Sequence, residues 1–178
     1  GTTRVSQERD STLSSMAFSM GAAIARKDFN VVLGAPGSAC NLSGLYMTTD
    51  SQHVDYHIDI DHVEPHTTSR QYHKGILAGR SVAVYTGRVL VRKGAQKSDA
   101  QQADKNLILS RNAEVNTKPS MEIYADDVKC THGATAGQIV GAEDSLFYMR
   151  SRGLDRDTAN GLLIRAFASE IVDSIQLK

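Results

Sequence analysis

The sequence predicts a mainly β protein followed by a small α part, and three observations point there. Up to residue 138, short β-type runs alternate with Gly, Asn, Asp and Ser punctuation, and no amphipathic helix of convincing length interrupts them. Beyond 138, apolar residues recur at helical spacing. The β region lacks a strong Asn-Gly or Asp-Gly hairpin signal, which disfavours an antiparallel meander. Many short strands without helices suit a sandwich, a barrel or a solenoid. Their irregular spacing shows no sharp repeat, so the residues alone leave these three open.

The runs, in order, are Ser15–Met20, Asn30–Leu33, Leu42–Met47, Val54–Ile60, Ser81–Val91, Leu107–Ser110 and Met121–Tyr124. The clearest alternation sets Val54, Tyr56, Ile58 and Ile60 against Asp55, His57, Asp59 and Asp61. Asp126-Asp127 marks a turn or bulge that resets which parity faces inward, before a strand carrying Val128 and Cys130. Glu143 and Asp144 then open a helix through Leu146, Phe147, Met149 and Arg150, and Gly153 stops it. Asp155 caps a second helix, with apolar residues at Ala159, Leu162, Leu163, Ala166, Phe167, Ile171, Val172 and Ile175. The expected division is a β part over 1–138 and a helical part over 139–178. The helical pair must bury its apolar stripe, with Leu146 and Phe147 packing between the helices.

Composition excludes several classes. The 178 residues suit one domain, or one with a small appendage, and 40% apolar content supports a sizeable core. Twenty basic and twenty acidic residues cancel, which argues against the basic stripe that nucleic acid requires. No apolar run approaches membrane-spanning length and nothing at the start resembles a signal peptide. The opening Gly1-Thr-Thr-Arg-Val reads as the interior of a longer chain. Cys40 and Cys130 make no disulfide framework, so a reducing, cytosol-like compartment is expected.

Two clusters carry candidate chemistry. Cys130 and His132, two residues apart, project to the same face of a regular strand, yet two ligands do not complete a tetrahedral site. Their bland alternative is a small core thiol and a satisfied strand-end histidine. The row His53, Asp55, His57, Asp59, Asp61 offers a rival reading, a small β-barrel metal-binding enzyme, although an exposed polar sheet face looks much the same. Ser69 and His73 specify no triad, and Gly34-Ala-Pro-Gly37 lacks the Lys-Ser/Thr ending of a phosphate loop. Phe147, Arg150, Arg152 and Arg156 could rim a partner-binding surface on the helices, or form a solvated face. Zero net charge weighs against reading the helical pair as a DNA-binding helix-turn-helix.

The stretch from Lys118-Pro119 through Ala125-Asp-Asp-Val-Lys-Cys130-Thr-His132-Gly-Ala-Thr-Ala-Gly-Gln138 resembles the C-terminal signature of the SufB/SufD family of iron–sulfur cluster assembly scaffolds. Gly133 places it on the SufD side, since SufB members usually carry Glu there. Further matches are Arg26 and Asp28, Leu33-x-Ala-Pro-Gly37, Leu42-Ser-Gly-Leu-Tyr46, then Asp55, His62, Pro65, Ser69, Gln71 and Lys74. They continue through Ser98-Asp99, Gln101, Asn106–Ser110, Leu146–Gly153 and Ala166–Glu170, and so cover nearly the whole chain. Departures are His66 where Cys is common, and a long link between Gln138 and Leu146. The resemblance implies the last rungs of a right-handed parallel β-helix and a following helical domain. It further implies a non-catalytic subunit of the SUF system, in bacterial cytosol or plastid stroma. Such a subunit pairs with a SufB-like paralogue and docks a SufC-like ABC ATPase. His132, with Cys130 secondary or structural, would contribute to an iron or cluster site shared with that paralogue, the isolated chain holding no cofactor of its own. An uncovered β-helix edge also makes a homodimer an expected state.

Overall fold

The computed structural model describes residues 1–138 and 143–174, the side chains of 143–145 excepted. Ten strands come first: β1 (Thr2–Gln7), β2 (Thr12–Ser19), β3 (Ile24–Leu33), β4 (Ala39–Thr48), β5 (His53–His62), β6 (Thr68–Leu77), β7 (Val82–Val91), β8 (Asp99–Ile108), β9 (Glu114–Ile123) and β10 (Lys129–Gln138). The helices α1 (Glu143–Ser151) and α2 (Arg156–Val172) follow. Odd strands form one parallel sheet in the order β1-β3-β5-β7-β9, and even strands form the other in the order β10-β8-β6-β4-β2. Each turn of the chain therefore adds one strand to each sheet. The result is a parallel β-solenoid of about five turns, which settles the architecture the residues had left open and replaces the barrel.

A repeat is present after all, with variable loops. Thr2 pairs with Asp28, Ile24 with His53, His53 with Val82 and Val82 with Glu114, so the period runs from 26 to 32 residues. Corner geometry shows the same stacking. Asp10, Gly37, His66 and Lys97 all have positive φ and each lies two residues before an even strand, while Gly21, Asp50 and Gly79 do so three residues before an odd one. Residues other than Gly at four of these seven corners conceal the repeat from a composition search. At Gly79, with φ 68°, an added Cβ would fall 2.6 Å from the Asp50 backbone nitrogen of the turn below.

Inward residues alternate along every strand and stack into columns. Phe29, Val31, Leu33, Tyr56, Ile58, Ile60, Tyr85, Val89 and Val91 line the odd sheet, and Cys40, Leu42, Tyr46, Leu77 and Ala100 the even sheet. Strands β1 and β6 lie outside the runs read from sequence. In β6 (TSRQYHKGIL) the inward residues Ser69, Gln71 and His73 are polar, so the apolar alternation is missing. The outer face of the odd sheet carries the expected polar row.

The interior is unusually polar for a core. His62 is wholly buried, bonded at 2.8 Å to Thr67 Oγ1 and at 2.8 Å to Ser69 Oγ, and burial pushes its pKa down to about 4. His73, stacked between Tyr56 and Tyr85, is pushed down to about 3 by burial, and Asp104 up to about 6. The pH dependence of stability follows. As pH falls below 6.5, unfolded chains protonate both imidazoles and the folded chain does not, so stability drops. Asp104 works the other way, because its folded carboxyl takes up a proton before its unfolded one. Two protons less one leaves a net loss of about 1.4 kcal/mol per pH unit between pH 6.5 and 5. Urea midpoints across that window should show this slope, and Asp104→Asn should roughly double it.

The helices pack on the outer face of the even sheet. Ile171 is buried with Leu45 and Ile76, joined by Ile164, Phe167, Ala168, Met16, Met47, Tyr72 and Leu107. Gly153, at φ 91°, ends α1, and Asp155 caps α2 by accepting from Thr158 N at 2.9 Å. The anchoring stripe is Ile164, Phe167, Ala168 and Ile171, narrower than the sequence suggested. Leu162 and Val172, expected within it, are both 43% exposed, since they sit off this face. Phe147, expected between the helices, is 75% exposed, and only Leu146 is buried. Ile175 and the residues 139–142 of the link lie outside the described residues, as do the side chains of Glu143 and Asp144.

Candidate functional site at the open end of the solenoid

Strands β9 and β10 are the terminal strands of their sheets, so one end of the solenoid presents two free edges. Cys130 pairs in register with Ala100, and His132 with Gln102, which turns both side chains to the interior side of β10. No further turn among the described residues covers them. His132 is exposed and Cys130 half-buried. Burial raises the Cys130 thiol above its ordinary pKa, opposed by a hydrogen bond from the Ala100 backbone, so this thiol is not an activated one. Cys40, fully enclosed and pushed up to about 12, is a core residue.

The two edges differ in what they offer a partner strand. Lys129 N donates to Ser98 O, so the alternate residues Cys130, His132, Ala134 and Ala136 turn their peptide groups to the free side of β10. On β9, Glu114 N bonds Ser81 O and Tyr124 N bonds Val91 O, which leaves Val115, Thr117, Pro119 and Met121 facing the free side. Pro119 has no N–H, so that edge is interrupted at its middle. Strand addition is therefore favoured along β10, beside His132.

The polar row on the odd sheet holds ion pairs. Arg26 bonds Asp55 at 2.8 Å and Asp28 at 2.9 Å, Arg88 bridges Asp59 and Glu122 at 3.3 and 2.7 Å, and Arg92 holds Asp61 at 2.7 Å. The Arg26 guanidinium keeps Asp28 below the usual carboxylate range, and Arg88 does the same for Glu122. Each carboxylate is thus spent on an arginine from the same or a neighbouring strand. Among the described residues no three His, Cys, Asp or Glu side chains converge to hold a metal ion. The rival metal-enzyme reading fails on both counts, since the fold is no barrel and the carboxylate beside His57, Asp28 at 3.8 Å, is already held by Arg26.

Three of the four helical candidates gather in one place. Phe147, Arg150 and Arg156 line a groove beside the α1–α2 turn, with Leu154 and Asp155. Arg152 sits over the Tyr148 ring, 4.5 Å from its centroid. Residues matched by sequence turn out to be mutual contacts: His62 with Ser69, and Lys74 with Glu170 at 2.7 Å. Gln71 instead accepts from Gln102, which the sequence reading passed over beside Gln101. Lys74 is buried under α2 and also bonds Phe167 O at 2.6 Å, while Tyr72 donates to Glu170. Nothing local signals that contact, because the partners are 96 positions apart.

The fold and this end define a class: a parallel β-solenoid ending in a free edge armed with an imidazole. Residues 1–167 match the family model described as the SUF system FeS cluster assembly, SufBD core domain, and the chain belongs to that family. It is 37% identical over 167 residues to the iron–sulfur cluster assembly protein SufD of Escherichia coli, covering 94% of this chain and 39% of that protein. A SufBD family protein of Synechocystis is 39% identical over 99% of this chain and 38% of its own length. The chloroplastic protein ABCI7 of Arabidopsis thaliana is 38% identical over 96% and 36% respectively. The chain spans under two fifths of the length of these curated relatives. No helix among the described residues is long and apolar enough to cross a membrane.

Proposed function

We propose that the chain is the C-terminal part of a non-catalytic SufD-like scaffold subunit, pairing with a SufB-like paralogue through the β9–β10 end. The observation that carries this reading is His132, exposed on a terminal strand whose outer edge, unpaired among the described residues, offers peptide groups to a second chain. In this arrangement His132 supplies one imidazole to iron or a nascent cluster, and the partner supplies the other ligands. Iron and sulfide are cargo here, and this chain holds one side of the coordination shell. Cys130, half-buried and with a raised thiol pKa, is secondary or structural. The α1–α2 groove lined by Phe147, Arg150 and Arg156, with Arg152 nearby at the end of α1, docks a SufC-like ABC ATPase, the arginines meeting an acidic rim. Without the paralogue, β10 would pair with a second copy of the chain. A bacterial cytosol or plastid stroma suits such a protein.

The test is His132→Ala in the intact complex with SufB-like and SufC-like partners. Co-purification should be unchanged and cluster yield should fall about tenfold or more; unchanged yield would remove His132 from the site. Paired Arg150→Glu and Arg156→Glu should release the ATPase and spare the paralogue. Loss of both partners together would instead point to misfolding of the helices.

A further inference from the structure

The solenoid interior between β6, β7, β8 and β9 is polar where a small domain is normally apolar. Gln71, His73, Gln102, Asp104 and Asn106 all point inward, none more than 3% exposed, and Tyr46 and Tyr85 are wholly buried among them. Part of this set is satisfied. Tyr46 donates to Asn106, Asn106 Nδ2 donates to Asp104 Oδ2 at 2.6 Å, and Gln102 Nε2 donates to Gln71 Oε1 at 2.7 Å. Five groups are not. Gln71 Nε2, Gln102 Oε1, His73 Nδ1, Tyr85 Oη and Thr117 Oγ1 have no hydrogen-bond partner of good geometry among the described residues.

Turning both glutamine amides over exchanges donor for acceptor and still strands one of each. A buried polar group without a partner costs at least as much as a lost hydrogen bond, so five together need an explanation. They are also contiguous. The His73 and Tyr85 ring centroids are 5.2 Å apart. A Cβ on Gly87 would lie 2.1 Å from Gln102 Nε2 and 2.8 Å from Tyr85 Oη, so the glycine lets these two polar groups sit side by side against the β7 backbone. Thr117 lies beside Asp104 and Tyr85 beside Gln102, each close enough to act on its neighbour but short of good hydrogen-bond geometry.

We propose that this stretch binds ordered internal water, bridging Gln71, Gln102, His73 and Tyr85 on one side and Thr117 with Asp104 on the other. The solenoid then encloses a hydrated column between β6, β7, β8 and β9. The unpartnered set suits water, because it mixes a pure donor, a pure acceptor and groups able to do either, and a buried water takes two to four such partners. Burial lifts Asp104 to about 6, which puts its proton exchange close to neutral pH. The titratable groups facing Asp104 are Tyr46 on β4, His73 on β6 and Tyr85 on β7, with Lys27 of β3 acting on His73 from beyond it. By register the column continues outward, since His132 pairs with Gln102 and Gln102 with Gln71. This inference does not depend on the identity of any partner protein.

A crystal structure of the full chain, at a resolution that shows ordered water, should place water within hydrogen-bond distance of Gln102 Oε1 and of Tyr85 Oη or His73 Nδ1. A dry interior, or orphaned groups re-paired with one another, would overturn the proposal. In solution, carbon-detected titration of the Asp104 carboxyl reads the same site. Gln102→Leu, which removes a water-holding amide with no direct bond to Asp104, should raise its midpoint by about one pH unit. An unchanged midpoint in a folded variant would count against a water-filled site.

Discussion

Gly75→Ala should destabilise the chain by about 4 kcal/mol, a large fraction of the 5–15 kcal/mol that holds a typical domain. Gly75 lies inward on β6, in register with Tyr46 on one side and Asn106 on the other. An added Cβ would sit 2.2 Å from the Tyr46 ring and 2.2 Å from Asn106 Oδ1, both of which are buried and bonded to each other. Neither neighbour can swing aside, because Asn106 is also tied to Asp104. Overpacking alone costs about 1–3 kcal/mol, and parting a buried hydrogen-bonded pair adds a comparable amount. Thermal unfolding should register a drop of roughly 10 °C. Gly133→Ala is the matched control: its Cβ meets nothing within 4 Å, so its effect should stay within about 0.5 kcal/mol. Equal effects at the two positions would show that stacking inside the solenoid is looser than the geometry indicates.

Glu170→Ala should free the second half of α2 from the even sheet, with a loss of about 2 kcal/mol. The Lys74 side chain is 2% exposed and Glu170 56%, so the lysine is the partner that cannot reach water. Lys74 and Tyr72 together hold Glu170 far below its usual pKa, at about 2. Removing the carboxylate strands a buried ammonium with Phe167 O and the faces of the Phe167 and Tyr72 rings, 4.4 and 5.6 Å from their centroids. The figure lies below that for a fully enclosed pair because Glu170 is half in solvent. Lys74→Met acts differently. It keeps the apolar stem, leaves no buried charge, and Phe167 O remains in its helix, so its cost should be small. Hydrogen exchange across 164–172 should therefore speed up in Glu170→Ala and recover in the double variant with Lys74→Met. A double variant no better than Glu170→Ala alone would mean that the contact acts by packing rather than by charge.

Much of this was readable along the chain, for reasons that differ by element. Strand β5 declared itself because Val54, Tyr56, Ile58 and Ile60 alternate with charged residues, and the inward set is the one found. Asp126-Asp127 lies between β9 and β10, where the inward parity passes from Met121 to Cys130. Gly153 and Asp155 mark the helix boundaries because stop and cap are single-residue signals. Strand β6 escaped notice because its inward face is built of Ser, Gln and His, which read as polar surface. The narrow anchoring stripe of α2 escaped for the opposite reason, apolar residues lying on more faces than the one that packs. The candidate site was half legible: Cys130 and His132 could be placed on one face, but nothing local showed that the face belongs to an uncovered end.

The amino-acid sequence by itself determined which residues of each well-marked strand face inward, where the helices stop and start, and the family. These are properties of side-chain alternation, of caps and turns, and of a contiguous motif, all local along the backbone. Only the tertiary structure decided that the strands stack in parallel at intervals of 26 to 32 residues, and that among the described residues β10 has a strand partner on one side only. It alone showed that the acidic row is neutralised by arginines and that Lys74 reaches Glu170. Backbone ladder bonds are the same for any sequence, so strand neighbours are chosen by how whole turns pack, and that choice is written nowhere in a single stretch of chain.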